Sequence, residues 1–500
     1  MVFSSAIFLF VFLPIVCALY FIVPGIKGKN TLLIIASLIF YAFGEPIYVL
    51  LMIGSIIANY IFGLMEGRFS KANNIVGKKI VLIIAVICNI GVLCVFKYTA
   101  FILENINYAG RLNIKIPGIA LPIGISFFTF QALSYVIDVY RNPEMVQKNL
   151  FNLMLYVSFF PQLIAGPIIR YNEIAKQINN RTSSIEKTTE GISRFIRGLT
   201  KKLIIANATG YMADSIFALK ITDYNFLVAW VGAIAYTLQI YYDFSGYSDM
   251  AIGMAKIFGF EFNENFNHPY SAKGIKDFWR RWHISLSLWF REYVYIPLGG
   301  NRKGKFRCEF NKMIVFLLTG IWHGANWTFV IWGLIHGVAN VIEDTLGSII
   351  KIKNNIIKNI ITWIVVVCGF VMFRADSVGL GLTMLKTMFT GFNMEVKSIS
   401  LVAGLLSPYY IFVIIMAIIF AYPLRQKLEN TISKKIGSNI NETIIHIADI
   451  GLLLVCIISL ATATYNPFIY FRRGDRNEEK NIYNNIFLFT VYTISWNVIF

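Results

Sequence analysis

Five histidines are the side chains best suited to acid–base chemistry in this chain of 500 residues. Imidazole titrates near neutral pH and is the group that proteins use most often as a general base. His323 follows the apolar stretch 313–318 and stands between two glycines, Gly320 and Gly324, which leave room for a substrate. A polar ring inside an apolar segment is costly unless it has a partner or a task. We predict that His323 is a catalytic base; a packing histidine bonded to a backbone carbonyl is the alternative. Its walls are predicted to be aromatic: Trp322, Trp327 and Trp332.

His283 is the second candidate, in the segment FWRRWHISLSLW over residues 278–289. If that segment is one helix, Trp279, His283 and Ser287 share a face at i, i+4 spacing. An interfacial helix whose polar tips reach the membrane surface explains the same pattern. Both interpretations stay open at this point.

The remaining histidines attract weaker predictions. His336 follows Trp332 by four residues, and its angle around a continuous helix does not require it to face the site of His323, so we favour a structural role. His268 precedes Pro269 and is predicted to occupy a turn, because the residue before proline avoids the helix. His446 lies in a plain apolar helix and is given no function.

Carboxylates inside apolar segments need partners. Asp138, Asp243 and Asp249 are of this kind. One of them is predicted to orient His323 or His283, or to hold an arginine; a structural pair between helices is the alternative. The sequence has no P-loop, no G-x-S-x-G and no zinc-type cysteine spacing. ATP hydrolysis, classical serine hydrolysis and a metal site are therefore disfavoured.

The composition indicates an integral membrane protein. Hydrophobic residues make up 57% and charged residues 14% of the chain, whereas soluble domains carry about 25% charged residues. The net charge of +18 is explained by basic cytoplasmic loops or by an anionic partner such as coenzyme A phosphates or an acidic carrier protein. Nucleic acid is excluded as a partner, because the basic residues lie in short loops between apolar spans.

Apolar segments indicate roughly 11 to 13 spans, some of them re-entrant or broken because their lengths depart from the ~20 residues that a crossing requires. The first and third connections contain basic residues and the second contains none, which predicts that the N-terminus lies outside. Residues 261–312 mix arginines and lysines with aromatic residues, which favours amphipathic interfacial helices or the lining of a funnel. The candidate spans are 2–23, 31–43, 46–65, 80–103, 119–138, 148–168, 196–218, 225–259, 311–345, 356–373, 378–391, 400–423 and 441–463.

Five motifs in order resemble those of the membrane-bound O-acyltransferases, and within them the bacterial branch that acetylates alginate or peptidoglycan or D-alanylates teichoic acid. The resemblance runs from Met1 to about Phe471. The motifs are LPIGISF (121–127), FFPQLIAGPI (159–168), YDFSGYSD (242–249), FWRRWH (278–283) and GIWHG (320–324).

The resemblance implies an all-α, multi-pass helical ring around a central tunnel, in a bacterial plasma membrane. It implies that His323 is the invariant histidine and His283 the second, preceding one. A cytoplasmic acyl thioester, acetyl-CoA or an acylated carrier protein, is the expected donor substrate, with no bound cofactor and no metal. A secreted or membrane-anchored SGNH-type acetyltransferase and membrane lipids are the expected partners. The predicted lining of the tunnel or substrate site is Trp322, Asn326, Trp279, Arg280, Ser287 and Asp243.

The resemblance also implies an acyl relay at Tyr470, within the motif Phe468–Phe471; an interfacial aromatic anchor is the alternative. We place an acyltransferase domain at residues 1–471 and an atypical tail at 472–500. The arginines of the tail favour a cytoplasmic position, which conflicts with delivery of the acyl group to an acceptor outside the cell by Tyr470. A transporter or flippase is the competing class, against which the absence of internal repeats counts. D-alanyl transfer is the competing reaction.

Overall fold

The computed structural model describes residues 1–347, 352–393, 395–424, 431 and 438–462, and these residues form helices and no β-strand. The first half contains α1 Leu13–Ile22, α2 Gly25–Ala42, α3 Tyr48–Lys71, α4 Ile75–Gly110, α5 Ile125–Arg141, α6 Leu150–Ser158, α7 Phe160–Leu163, α8 Tyr171–Asn180, α9 Ile185–Thr200 and α10 Asn207–Phe217. The second half contains α11 Phe226–Ile257, α12 Ile275–Arg281, α13 Ile284–Phe290, α14 Lys305–His323, α15 Trp327–Leu346, α16 Asn355–Arg374, α17 Val378–Thr390, α18 Val396–Leu405, α19 Pro408–Phe420 and α20 Ser438–Thr462.

Several helices are long and apolar enough to cross a membrane. By length and composition these number five within the described residues, and six if the bent pair α18 and α19, which meet at 74°, forms one span. The five are α3, α4, α15, α16 and residues 442–462 of α20. The protein is thus an all-helical membrane protein, and the larger span count of 11 to 13 stays a prediction.

Three of the predicted spans show how the chain departs from simple crossings. Segment 225–259 forms the single helix α11. Segment 148–168 is interrupted at Phe159, where α6 ends and α7 begins. Segment 311–345 is interrupted at residues 324–326 between α14 and α15. Broken helices were expected from these lengths, and the last break carries the site described below.

The prediction that residues 261–312 form interfacial helices is wrong for four of their aromatic residues, and the alternative, the lining of a funnel, stays a prediction. Phe278, Trp282, Trp289 and Phe290 are all buried. The Trp289 ring stacks on Phe130 of α5 with ring centroids 3.8 Å apart, and buried rings of this size contribute strongly to the stability of a core. Helices α12 and α13 therefore belong to the interior of the protein.

Two hydrophobic clusters meet beside the end of α14. The first is built mainly from α1 to α9 and includes Trp322. The second is built mainly from α10 to α19 and includes Trp332. The His323 ring contacts both tryptophans, one from each cluster. His323 therefore lies where the two clusters meet.

Glycines let α14 and α15 pack closely. A Cβ on Gly320 would overlap the carbonyl oxygen of Phe329, and one on Gly333 would overlap the carbonyl oxygen of Phe316. Small residues permit such approach between membrane helices. The tight pairing fixes the position of His323 relative to α15.

Candidate active site

His323 is the last residue of α14 and is partly exposed. The next residue, Gly324, is extended, and Asn326 begins α15 by accepting a hydrogen bond from the backbone N–H of Thr328 at 3.0 Å. A helix that ends in an apolar region leaves its last carbonyl groups without intrahelical donors. The histidine is thereby placed at a polar break in a chain segment that is otherwise apolar.

Aromatic rings enclose His323 on three sides. Its ring centroid lies 4.9 Å from that of Trp322, 5.1 Å from that of Trp332 and 5.1 Å from that of Phe373. Trp327 does not form a wall as predicted: its side chain is turned outward and its indole N–H donates to Asn105 Oδ1 at 2.9 Å. Trp327 is the first residue of α15, and its side chain points away from His323. Phe373 of α16 provides the third aromatic ring beside His323 instead.

The end of α14 is held by two consecutive residues of α4. The ammonium of Lys97 donates to the carbonyl oxygen of Trp322 and to Ser126 Oγ. The hydroxyl of Tyr98 donates to the carbonyl oxygen of Ile321 at 2.8 Å. A cation is favourable at a helix C-terminus, where the carbonyl groups carry partial negative charge. These contacts satisfy two of the last carbonyl groups of the helix that carries His323.

Sequence reasoning missed Lys97, although a signal was present. It is the one charged residue in the apolar segment 80–103. An ionisable residue within a membrane segment is by default a sign of function or of a specific partner.

His283 occupies a break between α12 and α13. Its backbone is left-handed, with φ 44° and ψ 54°, and the residue is buried. The prediction that Trp279, His283 and Ser287 share one helix face is therefore wrong, because the helix ends at Arg281 and a new one begins at Ile284. Ser287 instead donates to the carbonyl oxygen of Trp279 at 3.4 Å.

Trp322 connects the two candidate catalytic histidines. Its ring centroid is 6.3 Å from that of His283 and 4.9 Å from that of His323. The indole N–H of Trp322 is buried and has no hydrogen-bond partner in the described part of the chain. The structure thus brings both predicted histidines into contact with a single tryptophan, within one aromatic cluster.

His336 joins the same cluster through Trp332. The rings of Trp332 and Trp279 lie 5.3 and 5.1 Å from the His336 ring. The ring is fully buried against Gly369, where a Cβ would come within 2.5 Å of Nε2. Neither ring nitrogen has a partner among the residues described. The expected angle between His323 and His336 assumed one continuous helix. Because α14 ends at His323 and α15 begins at Trp327, that assumption does not hold.

Two of the three acidic residues have basic partners. Asp243 pairs with Lys202 at 2.6 Å and both side chains are buried. Asp249 pairs with Arg194 and Lys201. Both carboxylates thus form ion pairs, as the structural alternative predicted, and Asp249 also holds an arginine, which the first prediction included. The third acid, Asp138, accepts a hydrogen bond from the hydroxyl of Tyr293 at 2.8 Å.

The other predicted site residues have varied positions. Arg280 is exposed at the end of α12. Trp279 has a buried indole N–H without a partner among the described residues and packs beside His336. The Asn326 side chain is engaged in capping α15. His268 is left-handed and precedes a short 3-10 turn, so the predicted turn is confirmed. The expected relay Tyr470 and the tail 472–500 lie outside the described residues.

Fold and site together define an integral membrane protein with a histidine–tryptophan cluster at helix breaks inside its core. The sequence profile of MBOAT, the membrane-bound O-acyltransferase family, matches residues 141–380. A protein named probable alginate O-acetylase AlgI, from Pseudomonas aeruginosa, is 44% identical over 395 residues, which cover 78% of this chain and 75% of that protein. This chain belongs to the membrane-bound O-acyltransferase family and is an O-acyltransferase.

Two further relatives carry related names. A peptidoglycan O-acetyltransferase from Helicobacter pylori is 38% identical over 424 residues, covering 78% of this chain and 80% of that protein. A teichoic acid D-alanyltransferase from Bacillus subtilis is 32% identical over 229 residues, covering 43% of this chain and 57% of that protein. The matches to the two acetylating proteins are longer and stronger than the match to the D-alanylating one.

Proposed function

We propose that this chain takes an acetyl group from a cytoplasmic thioester and passes it across the plasma membrane for O-acetylation of a cell-envelope polysaccharide. The observation that carries the proposal is the position of His323. It stands at a helix break, partly accessible, in contact with two buried tryptophans. The names of the acetylating relatives support acetate as the group transferred.

His323 serves as the general base in this reaction. It takes the proton from an acceptor hydroxyl, whose oxygen attacks the thioester carbonyl carbon. The new C–O bond gives a tetrahedral oxyanion, the C–S bond then breaks, and the leaving thiolate receives the proton from the His323 imidazolium. Lys97 and Tyr98 contribute by holding the end of α14, and so the imidazole, in place.

Two indole N–H groups are suited to stabilise the oxyanion. Those of Trp322 and Trp332 are buried, have no partner in the described part of the chain and belong to the rings that flank His323. Fixed donors in a site that excludes water are worth much more than the same donors in water. We assign them to the substrate carbonyl.

The donor is acetyl-CoA or an acetylated carrier protein, and it reaches His323 through a tunnel from the cytoplasmic side. The N-terminus lies outside, because the basic residues at the start of α2 (Lys27 and Lys29) and around the junction of α3 and α4 (Lys71, Lys78 and Lys79) fit the cytoplasmic side. A secreted or anchored SGNH-type acetyltransferase completes transfer to the polymer, and Tyr470 relays the group. Transfer of D-alanine is the second candidate, supported by the partial match to a D-alanylating relative.

The test is the release of ester-bound acetate from cell-envelope polymers. Cells that express the full chain are compared with cells that express His323→Ala at equal membrane abundance, and His446→Ala serves as a matched control because that ring contacts Ser193 in α9. We expect loss of acetate in the first variant alone. Unchanged acetate and unchanged ester-linked D-alanine in His323→Ala would overturn the proposal and favour a transporter.

A further inference from the structure

Asn265 links the loop after α11 to the start of α13. Its side-chain Nδ2 donates to Ser248 Oγ at 2.9 Å. Its Oδ1 accepts from the backbone N–H of Ser285 at 3.2 Å and from the Ser285 hydroxyl at 2.8 Å. The Asn265 backbone carbonyl accepts from the N–H of Ile284 at 2.9 Å. The residue is fully buried, so this loop is held in the interior by polar contacts.

These contacts fix which end of the amide is oxygen. An amide oxygen and nitrogen are otherwise interchangeable in an assignment, and only the hydrogen-bond network distinguishes them. The backbone N–H of Ser285 can only donate, so the atom that faces it is the oxygen. The Ser285 hydroxyl accepts from the N–H of Ile168 at 3.0 Å, which leaves its own proton for the same oxygen.

The amide oxygen in turn fixes the tautomer of His283. The Nδ1 atom of His283 lies 3.2 Å from Asn265 Oδ1. Because an amide oxygen only accepts, Nδ1 carries the proton. In a neutral imidazole the other nitrogen, Nε2, is then a hydrogen-bond acceptor.

Nothing in the described part of the chain donates to that acceptor. His283 is buried and its Nε2 has no partner there. The elements packed on the ring present aromatic faces: Phe244 of α11 at 4.6 Å, Phe266 of the following loop at 6.3 Å and Trp322 of α14 at 6.3 Å between centroids. No ion pair or hydrogen bond joins the ring to a charged side chain in the residues described. A buried acceptor that makes no hydrogen bond is unfavourable. A donor from a bound molecule therefore fits this position.

We infer that Asn265 is a positioning residue, which presents His283 Nε2 as a hydrogen-bond acceptor for an O–H or N–H group of the substrate beside Trp322. The inference rests on the acyl transfer proposed above. The left-handed backbone at His283 turns the imidazole back toward the loop of Asn265, where a helical backbone would direct it along α12 and α13. The O–H is the acceptor hydroxyl; an N–H would belong to an amide of the thioester arm.

The experiment uses membranes that contain the full chain and acetyl-CoA labelled in the acetyl group, with the polymers of the same envelopes as acceptor. Asn265→Leu removes the acceptor of Nδ1–H, and we expect the transfer rate to fall about tenfold or more. Asn265→Asp keeps an oxygen at that position and restores part of the rate. Its carboxylate stabilises the imidazolium, so the acid limb of its pH–rate profile moves to higher pH. Ser248→Ala leaves Oδ1 in place and keeps most of the activity.

The two sources of the donating group give different kinetics. If the acceptor hydroxyl is bound, the KM for acetyl-CoA stays constant and the transfer rate falls. If an amide of the thioester arm is bound, the KM for acetyl-CoA rises. Nitrogen-15 NMR spectra of the five histidines provide a second readout. We expect one unprotonated Nε2 that accepts no hydrogen bond, and the signal is assigned to His283 if it disappears in His283→Asn.

Two results overturn the inference. One is an Asn265→Leu chain that is assembled and transfers acetate at the wild-type rate. The other is an equal loss of transfer rate in Asn265→Leu and Asn265→Asp with no shift of the pH–rate profile, which would mean that Asn265 only supports the fold. If Asn265→Leu does not fold in the membrane, the pH–rate profile of Asn265→Asp alone decides whether the inference stands. Failure of the proposed function looks different, because wild-type membranes then transfer no label.

Discussion

The ammonium of Lys97 donates a hydrogen bond to the carbonyl oxygen of Trp322, the residue immediately before His323. The same cation lies 5.6 Å from the centroid of the Trp322 ring, where a cation–π attraction adds to the hydrogen bond. A charge in α4 thus fixes both the backbone and the side chain next to the proposed base. The site depends on a helix that contributes no group to the chemistry.

Lys97→Met tests this dependence. Hydrogen bonds to charged groups are worth about 1.5–3 kcal/mol, so freeing the end of α14 is expected to lower acetyl transfer about tenfold or more. Acetate on envelope polymers is measured at equal membrane abundance. Lys79→Met, an exposed lysine near the start of the same helix, is the matched control and should behave as wild type. Full activity of Lys97→Met would show that the α14 terminus needs no such support.

Trp322→Phe tests the proposed oxyanion donor. A phenyl ring replaces the indole, so the N–H, which makes no hydrogen bond within the described residues, is lost. The smaller ring leaves unfilled space in the core and lowers stability, so kcat is compared at equal membrane abundance. Loss of one oxyanion donor lowers kcat by about 10²- to 10³-fold. Trp230→Phe is the control, because its N–H bonds the carbonyl oxygen of Met388 away from His323. A wild-type kcat in Trp322→Phe would remove this residue from the mechanism.

The buried pair of Lys202 and Asp243 is expected to act on stability. Removing one partner of such a pair costs about 3–5 kcal/mol, because the other charge stays buried without compensation. Lys202→Ala should therefore lower the thermal unfolding temperature in detergent. Replacing both residues with methionine and leucine should recover much of the loss. Lys397→Ala, which breaks an exposed pair with Asp223, should change little; an equal effect in both single variants would contradict this account.

Gly320→Ala tests the contact between α14 and α15. The added methyl group would overlap the Phe329 carbonyl, and such overpacking costs about 1–3 kcal/mol. We expect a lower unfolding temperature together with lost acetyl transfer, since His323 moves with its helix. Gly54→Ala in α3 has open space around it and should retain both properties. A stable and active Gly320→Ala would mean that the two helices can separate without harm.

The sequence predicted the parts of the site that are local. His323 and its neighbours Trp322 and Trp332 could be found because they share one apolar segment interrupted by glycine. Lys97 and Asn265 were missed because their contacts join positions 225 and 18 residues apart, which no short motif records. The break at His283 was missed for another reason: neither glycine nor proline marks it, and the left-handed backbone is imposed by the tertiary contacts of Asn265 and Ser285.

Lys97 also constrains how the chain is made. Helix α4 enters the membrane long before Trp322 is synthesised, since 225 residues separate the two partners. A lysine in an inserting helix costs about 2.5–3.5 kcal/mol at the helix centre on biological insertion scales and less toward the ends, and the long apolar run of α4 must offset the cost for Lys97. Biogenesis therefore passes through a stage in which α4 holds a cation without its final acceptor. Chains that stop before α14 keep this lysine without the Trp322 carbonyl as its acceptor.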